Sequence, residues 1–550
     1  MKEEIRESIA LALERISNSE NVETPALDRF EVSIPKEEFG DLSTNIAMIL
    51  ASRMETNPRA LAEKIVNELA NEPYISSVKV AGPGFINITV SPSRWIDYLG
   101  DILSQKENYG KTKTGKNEKV MVEFVSANPT GPLHIGHGRG AAVGDALARI
   151  LSWAGYDVYR EYYINDVGLQ MENLGRSTIA RANELLGRPF TEPAYKGEYI
   201  KDIASDFIER YGAEVLDLPD EQIVPMASEF TGTAILASIR KDLDDFRVSF
   251  DEWFSEKSLH DADEINKVIN IFSGSGDIYE QDGAMWLKTE SAGDEKDRVV
   301  RRANGITTYL AADIAYHKNK LDRGFSKLID IWGADHHGYI PRMKASISAL
   351  GHDPKKLSPI LVQMVSLKRG GKTVSMSTRG GVFVTLREII DEVGVDATRY
   401  FFLMRSSDSH LDFDVDLAKK RSDENPVFYI QYAHARCANI FVTAKDRKIE
   451  TKKFDEIDKA LLEGKYELRL IKKLAQFPDV IASCAEGLHP HPITQYLTEV
   501  SSFYHSFYHN NRVVTEDIKL SQARLALIES TMIVLKNGLS LLGVSAPDRM

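Results

Sequence analysis

The chain has 550 residues, of which 43% are hydrophobic and 27% charged, a composition that excludes a disordered chain and indicates well-packed globular domains. At ~150 residues a domain, this length predicts roughly three to four domains. The formal net charge of −13 argues against a protein that binds nucleic acid over its whole surface. The two cysteines, Cys437 and Cys484, are too few for a disulfide framework or a four-cysteine zinc site, so no zinc is expected.

The first residues form an acidic amphipathic pattern rather than a signal peptide, which would need a basic start and an apolar core. No apolar run approaches the ~20 residues of a membrane span, so we expect a cytoplasmic protein without a membrane partner. Residues 1–114 are predicted to form a separate α/β domain, because helical and strand patterns alternate there. The predicted helices cover residues 5–16, 44–53 and 59–69, and the predicted strands residues 30–34, 78–81 and 85–90.

The most informative stretch follows this domain. Residues 120–125 have the length and composition of a buried strand, a run rich in proline and glycine breaks it, and helical spacing begins at residue 135. A strand, a tight turn and a helix present backbone N–H groups and a positive helix end to an anion. His134 and His137 stand at this helix start, and Gly136 between them leaves room for a ligand. The pattern predicts a phosphate site.

Two common phosphate motifs do not fit. The glycines after residue 135 are not spaced as a dinucleotide fingerprint, and residues 371–373 lack the first glycine of a P-loop. Residues 134–137 read HIGH, which is similar to the ATP-binding signature of the class I aminoacyl-tRNA synthetases. With Glu123 and the run 128–145, NPTGPLHIGHGRGAAVGD, the sequence resembles an arginyl-tRNA synthetase, and this resemblance continues to the last residue.

The second half of the same domain comes after an insertion. Residues 156–163 are a further strand candidate, and about 169–300 have mostly helical patterns with polar turns. The sheet is expected to resume with residues 306–310, a helix over 313–320 and a strand over 327–332. We therefore predict a Rossmann-like domain over residues 115–410 with a helical insertion, in which ligands bind beyond the carboxyl ends of the strands.

An arginine substrate needs carboxylates and an aromatic face for its planar guanidinium group. The resemblance implies that Glu123 and Asn128 bind the amino end of arginine, and that Tyr309 and Asp313 bind its side chain. The last two are four residues apart on a predicted helix start, so they face the same way. The structural alternative is that Asp313 caps the helix and Tyr309 belongs to the core.

The resemblance also implies ATP as a cosubstrate, bound with Mg²⁺. His134, Gly136 and His137 would contact the phosphates, and Gly333 and Asp335 would hold the ribose. His336 and His337 are adjacent, so on a strand end only one of them faces the pocket, and we favour His337. A metal site at this pair is disfavoured because no third ligand stands at suitable spacing.

The second signature of the class, a mobile KMSKS loop, corresponds to residues 375–379, and both of its lysines are absent here. Met376 and Ser377 remain as ATP-binding candidates. The lysine that compensates in other members would occupy Gly131, so it is absent too. Charge on the phosphates still needs cations, and our hypothesis is that Lys372, Arg379 or both supply them. The alternative is that Mg²⁺ and the histidines suffice.

From residue 426 onward nearly all of the chain has helical patterns, which predicts an all-α bundle over 411–550, similar to the anticodon-binding domain of the family. Residues 416–550 hold 19 Lys and Arg against 17 Asp and Glu, so this is the least acidic part. The tRNA-binding candidates are Tyr432 and Arg436, for stacking on unpaired bases, Met550 near the anticodon, and Asn45 in the N-terminal domain, for the tRNA elbow.

The resemblance implies a monomeric enzyme that activates arginine with ATP, releases pyrophosphate and transfers arginine to the 3′ end of its cognate tRNA. Two alternatives remain at this point. A related nucleotidyl transferase would share the HIGH motif but would not need the N-terminal domain or the C-terminal bundle. A catalytically silent RNA-binding relative is conceivable because the loop lysines are missing.

Overall fold

A computed structural model describes residues 1–20, 30–374 and 384–550. Its N-terminal part is an α/β unit whose strands form an antiparallel sheet in the order β1–β2–β4–β3. The elements are α1 (Lys2–Glu20), β1 (Val32–Ser33), β2 (Leu42–Thr44), α2 (Ile46–Leu50), α3 (Pro58–Leu69), β3 (Ile75–Ala81), β4 (Phe85–Val90) and α4 (Pro92–Gln105). The apolar faces of α1 and α3 are buried, as the sequence pattern predicted.

The central part is built on a parallel sheet in the order β12–β11–β5–β6–β7. Its elements are β5 (Lys119–Glu123), α5 (Ile135–Trp153), β6 (Asp157–Ile164), α6 (Leu169–Leu185), α7 (Glu198–Tyr211), α8 (Asp220–Asp245), β7 (Glu252–Ser255), α9 (Glu256–Asp261), α10 (Glu264–Ser275), β8 (Ile278–Gln281), β9 (Ala284–Leu287), β10 (Arg298–Arg301), α11 (Tyr309–Asp322), β11 (Lys327–Gly333), α12 (Ile340–Ala349) and β12 (Ile360–Val362). The parallel order confirms the Rossmann-like prediction.

Successive residues of β5 enter different cores, because side chains alternate between the faces of a strand. Val120 and Val122 belong to the core that contains α5, whereas Met121 belongs to the core that contains α11. The helix α5 lies close to the sheet because Gly144 has no side chain: a Cβ there would come within 2.2 Å of the Phe124 ring. The sheet is thus covered by α5 on one face and α11 on the other.

The predicted insertion at about 169–300 is more varied than its helical pattern indicated. Helices α6 to α8 are followed by β7, which returns to the parallel sheet beside β6. After α9 and α10, the strands β8 to β10 form a small antiparallel sheet. The expected resumption of the sheet at residues 306–310 is wrong. Within the described chain these residues make only an isolated bridge at Thr307, and α11 begins at Tyr309.

The remaining elements form a small sheet and the C-terminal helices. They are β13 (Val365–Arg369), β14 (Lys372–Val374), α13 (Leu386–Val393), α14 (Val395–Leu403), β15 (Leu411–Asp414), α15 (Val415–Lys419), α16 (Pro426–Asp446), α17 (Lys465–Leu474), α18 (Phe477–Gly487), α19 (His491–Asn510) and α20 (Ile518–Leu541). The helical pattern of the sequence is interrupted at residues 454–456 and 459–462, which form 3-10 turns, and α17 begins only after Gly464. Residues 411–414 of the predicted all-α region form β15, which pairs with β13, and the helical bundle follows them.

The N-terminal and C-terminal parts contact each other directly. Lys472 Nζ lies 2.5 Å from Asp41 Oδ1, and Asn537 Nδ2 donates a hydrogen bond of 2.8 Å to the carbonyl of Lys106. Tyr109, which is buried, donates to the carbonyl of Leu474 at 3.3 Å. The two ends of the chain therefore support each other beside the central sheet.

Candidate active site

The HIGH segment forms a reciprocal cap at the start of α5. His134 is the N-cap residue, and its Nδ1 accepts hydrogen bonds from the backbone N–H groups of Gly136 (3.1 Å) and His137 (3.2 Å). His137 Nδ1 accepts in return from the backbone N–H of His134 at 3.3 Å. The two rings are stacked with their centroids 3.6 Å apart. Because Nδ1 of each ring is an acceptor, a neutral ring carries its hydrogen on Nε2.

Burial keeps both rings neutral at physiological pH. It lowers the pKa of His134, and it lowers the pKa of His137 to about 3, with His134 as a second, smaller cause. Gly136 gives the pair its close geometry, since a Cβ there would lie 3.0 Å from His134 Cε1. The helix start thus offers two neutral Nε2–H donors beside the positive end of the helix dipole, an arrangement that can bind phosphate oxygens.

The residues that follow the second signature segment in the sequence contact this cap. The N–H of Ile135 donates to the carbonyl of Val384 at 3.1 Å, and the N–H of Leu386 donates to the carbonyl of Leu133 at 2.8 Å. The candidates Met376, Ser377 and Arg379 lie outside the described residues. Residues 384–386, which follow them, are therefore adjacent to the HIGH cap.

Lys372 is the loop cation that the structure does describe. It lies exposed on β14, and it has no ion-pair partner among the described residues. Its neighbours differ in this respect: Lys368 pairs with Asp412 at 2.7 Å, and Arg369 pairs with Glu392 at 2.5 Å. Of these three cations, only Lys372 is not already neutralised by a described carboxylate.

The start of α11 carries the residues proposed for the arginine side chain. Tyr309 is 58% exposed, so it does not belong to the core. Asp313 lies in the second turn of α11 and does not cap it, since the N-cap residue is Thr308. The Asp313 carboxylate accepts a hydrogen bond from the hydroxyl of Tyr339, and burial raises its pKa. Both structural alternatives weighed from the sequence are thereby excluded.

Two further carboxylates share this region. Glu256, the first residue of α9, is 3% exposed; burial raises its pKa, and Asp313 raises it further. Burial raises the pKa of Tyr163, and the charges of Glu256, Asp313 and Glu123 raise it further. The sequence alone did not point to Glu256, which follows β7 directly and so stands at the carboxyl edge of the sheet. The charges of three carboxylates therefore act on Tyr163.

Glu123 is buried at the end of β5, with both oxygens in hydrogen bonds. Oε1 accepts from Ser126 Oγ at 2.8 Å, and Oε2 accepts from Lys320 Nζ at 2.5 Å. Asn128 is half-buried, and its Nδ2 donates to Gln170 Oε1 at 2.8 Å. Lys320 is fully buried and was not found from the sequence, although a lysine seven residues after Asp313 shares its helix face.

Of the ribose candidates, Gly333 is the last residue of β11, whereas Asp335 and the two histidines lie on a 3-10 turn, Ala334–Tyr339, rather than on the strand end expected for the histidines. Gly333 lets Asp335 fold back, since a Cβ on Gly333 would lie 2.5 Å from Asp335 Oδ1. Asp335, His336 and His337 are all exposed. The ring of His336 lies near that of Tyr339, with centroids 6.3 Å apart. Within residues 1–20, 30–374 and 384–550, His337 makes no such ring contact.

Comparison with known proteins decides the family. Residues 98–409 match the family model "tRNA synthetases class I (R), catalytic domain", residues 3–90 "Arginyl tRNA synthetase N terminal domain", and residues 430–550 "DALR anticodon binding domain". The chain is 50% identical, over 100% of both chains, to an arginine–tRNA ligase of Geobacter sp. (strain M21), and 49% identical, again over 100% of both, to that of Syntrophotalea carbinolica. The chain belongs to the arginine–tRNA ligase family.

The family fold is seen directly in a solved structure. The arginyl-tRNA synthetase of Thermus thermophilus superposes with a TM-score of 0.79 at 22% identity, covering 100% of each chain. This likeness concerns the fold alone. It places the parallel sheet, the N-terminal unit and the helical C-terminal bundle of this chain in the architecture of the arginine–tRNA ligase family.

In this member of the arginine–tRNA ligase family, an aromatic and cationic surface lies on α16. Tyr432 is 40% exposed and stacks on Phe428, with centroids 6.1 Å apart and planes at 6°. The Arg436 guanidinium lies 5.4 Å from the ring of Tyr432 and 4.4 Å from that of Tyr508. The partly exposed ring of Tyr432 and the guanidinium of Arg436 therefore form one surface of the kind that can stack on a base.

The last residues are held along the same helix. His434 Nδ1 donates to the carbonyl of Pro547 at 3.0 Å, and Gln431 Nε2 donates to the carbonyl of Ser545 at 2.9 Å. Met550 is 55% exposed. Asn45, in the N-terminal unit, is the half-buried N-cap residue of α2, and its side chain makes no capping hydrogen bond. The chain end thus lies near Tyr432 and Arg436, while Asn45 belongs to a different surface.

The described residues contain neither a metal-binding group of side chains nor a membrane-spanning helix. Residues 1–20, 30–374 and 384–550 contain no group of three or more His, Cys, Asp or Glu side chains that could hold a metal ion. Within these same ranges, no helix combines the length and the apolar character needed to cross a bilayer.

Proposed function

We propose that this chain is an arginine–tRNA ligase whose active site lies at the carboxyl edge of the parallel sheet, between the HIGH cap and the carboxylates around Tyr163. The observation that carries the proposal is this pairing of a phosphate-binding helix start with a buried acidic pocket. A guanidinium group fits such a pocket because it carries a fixed charge and planar donors. Neither a silent RNA-binding protein nor a related nucleotidyl transferase needs both halves.

Arginine is bound at both of its positive groups. Asp313 and Glu256 accept hydrogen bonds from the guanidinium, and Tyr309 covers its face. Glu123 and Asn128 bind the α-ammonium end. The raised pKa of Asp313 and of Glu256 supports this role, since buried carboxylates gain most from a cation that replaces the lost solvent. Gln170, which Asn128 contacts, lies at the edge of this region.

The first step joins arginine to AMP. A carboxylate oxygen of arginine attacks the α-phosphorus of ATP, a new O–P bond forms, and the bond to the β-phosphate oxygen breaks, which releases pyrophosphate. The Nε2–H groups of His134 and His137 donate to the phosphate oxygens, with Gly136 giving access to the backbone. Lys372 and Arg379 add positive charge, and Met376 and Ser377 contact ATP from the same loop.

The second step uses the same site. A ribose hydroxyl of the terminal adenosine attacks the carbonyl carbon of the adenylate, and AMP leaves with the bonding electron pair. Gly333, Asp335 and His337 hold the ATP ribose through its hydroxyls. Mg²⁺ would enter bound to ATP, where it would offset part of the phosphate charge.

Arginine-dependent exchange of pyrophosphate into ATP, measured with and without cognate tRNA, tests this proposal. Exchange that requires arginine supports it, and a dependence on tRNA would show that RNA binding completes the pocket. If neither condition gives exchange while tRNA still binds, the silent RNA-binding alternative is correct. Transfer of labelled arginine to tRNA then separates a ligase from a nucleotidyl transferase.

Lys372→Ala is expected to lower the turnover of pyrophosphate exchange by about tenfold, since one cation near the phosphates is worth roughly that factor or more. The matched control is Lys368→Ala on the preceding strand, whose charge is already paired with Asp412. We expect the control to keep wild-type turnover. Equal rates for Lys372→Ala and the wild type would leave the role to Arg379 or to the histidines.

Arg436→Ala is expected to raise the Kd for cognate tRNA by about tenfold, because base stacking and its cation–π support contribute roughly 1–3 kcal/mol per base. Lys445→Ala provides the control, being an exposed cation near the end of the same helix. Filter binding at two salt concentrations separates the loss of base stacking from the loss of one positive charge, because only the effect of charge depends strongly on salt. A loss no larger than that of the control would remove Arg436 from the tRNA surface.

We propose domain limits of 1–114, 115–410 and 411–550. The strand β5 starts at Lys119, shortly after the first limit, and β15, which pairs with β13, lies just beyond the second. Asn45 and Met550 contact the tRNA at its elbow and near its anticodon. The enzyme acts as a monomer in the cytoplasm. Analytical ultracentrifugation of the free protein tests the oligomeric state.

A further inference from the structure

Four carboxylates stand side by side across the parallel sheet. In the strand register, Asp330 on β11 pairs with Glu123 on β5, Glu123 pairs with Glu161 on β6, and Glu161 pairs with Glu252 on β7. Residues in register on parallel strands point to the same face of the sheet. The row therefore lies under α11, where unpaired negative charges would be strongly destabilising.

Two cations offset part of the negative charge of this row: Lys320 on α11 and Arg323 at the C-cap of the same helix. Lys320 Nζ lies 2.5 Å from Glu123 Oε2 and 2.9 Å from Asp330 Oδ1. Arg323, one turn further, pairs with Glu161 at 2.7 Å and with Glu252 at 3.1 Å. The two cations serve different carboxylates, and only Lys320 contacts the carboxylate that we assign to the substrate.

Lys320 is charged although it is fully buried. Burial alone would lower its pKa, but Asp330 and Glu123 outweigh burial and raise it. Lys320, and after it His317, holds the pKa of Asp330 at about 2, although burial would raise it. The Nζ atom also lies 4.3 Å from the centre of the Tyr316 ring. Lys320 is 0% exposed, so it does not reach the substrate.

Lys320 and Ser126 together determine how Glu123 faces the pocket. Ser126 Oγ donates to Oε1 at 2.8 Å while Lys320 occupies Oε2, so both oxygens are fixed. Other titratable groups crowd the same carboxylate from several elements. They are Asp313, Tyr316 and His317 on α11, Asp330 on β11, and Glu161 and Tyr163 on β6. Most of these are acidic, so loss of the cation at Oε2 would leave Glu123 facing like charges and free to turn.

We propose that Lys320 is a positioning residue for arginine: through its contact with Oε2 it holds Glu123 in one orientation for the α-ammonium group of the substrate. This inference rests on the proposed role of Glu123. Lys320 acts on arginine only through that carboxylate. Two neighbours on α11, Tyr309 and Asp313, contact the substrate directly, so the helix serves both ends of arginine.

The first test is Lys320→Met, with the KM for arginine, the KM for ATP and kcat measured in the aminoacylation assay. We expect the KM for arginine to rise by about tenfold, because Glu123 is no longer held toward the α-ammonium group. The kcat and the KM for ATP should stay within about twofold. A purely structural defect would not be confined to the KM for arginine.

The control is Arg323→Met, which removes a comparable ion pair at the C-cap of α11 without touching Glu123. We expect its KM for arginine to stay within about twofold of the wild type. An equal rise in the KM of the control would overturn the proposal, because any loss of charge beneath α11 would then have the same effect.

A double-mutant cycle decides the matter even if Lys320→Met alone folds poorly, since removing both partners of a buried pair costs less than removing one. Glu123→Gln should raise the KM for arginine, and adding Lys320→Met to it should change the KM by less than about twofold. A further increase of about tenfold in the double variant would overturn the role of Lys320 and leave that of Glu123 intact. An unchanged KM in Glu123→Gln would instead overturn the role of Glu123, and this inference with it.

Discussion

His134→Ala and His137→Ala are each expected to lower the turnover of pyrophosphate exchange by about 10²- to 10³-fold, with the KM for arginine unchanged within about twofold. In the proposed mechanism, each neutral ring donates its Nε2–H to the charge that develops on the phosphate in the transition state. The arginine pocket is formed by other elements, so ground-state binding of arginine should not respond. Single-turnover measurement of the adenylate would separate chemistry from product release.

Two controls accompany these variants. His137→Asn keeps a neutral N–H donor and should lose less turnover than His137→Ala. Because burial lowers the pKa of His137 to about 3, the exchange rate should not follow a histidine titration from about pH 6 to about pH 8.5. A rate that rises as the pH falls through this range would indicate charged imidazolium and contradict the assignment. Thermal melting would check that loss of the His134 cap, worth about 1 kcal/mol, is not responsible.

Asp313→Asn and Glu256→Gln are each expected to lower kcat/KM for arginine by about 10³-fold. Each change removes an ion pair with the buried guanidinium and leaves some of its N–H donors without an acceptor. Citrulline, which has the shape of arginine without the charge, is the matched substrate. The variants should discriminate less between the two amino acids. Since burial raises the pKa of both carboxyls, the KM for arginine should also rise as the pH falls and they become neutral.

Asp322→Asn is the control for the Asp313 variant. Asp322 is an exposed carboxylate at the other end of α11, where it pairs with Lys318. Its replacement should leave kcat/KM for arginine within about twofold of the wild type. Should Asp313→Asn behave like Asp322→Asn, the guanidinium would have to bind elsewhere, and Glu123 with Glu256 would be the next carboxylates to test.

Local sequence determined the phosphate side of this site. The strand, the turn and the helix that begins at residue 135 are consecutive in the chain, and the two histidines that cap the helix are three residues apart. Backbone geometry over such a short distance follows from residue type alone. The resemblance in the same stretch indicated the family, which the comparisons then confirmed.

Only the tertiary structure decided the surroundings of arginine. Lys320 and Glu123 are 197 residues apart in the sequence, and their contact exists because β5, β11 and α11 pack together. Glu256 reaches the pocket because β7 returns to the sheet after a long helical segment, which no periodicity reveals. Charges that compensate each other across a sheet leave no local pattern, because each residue alone looks like a surface position. The pairing becomes recognisable only when the strand register places these side chains in one row.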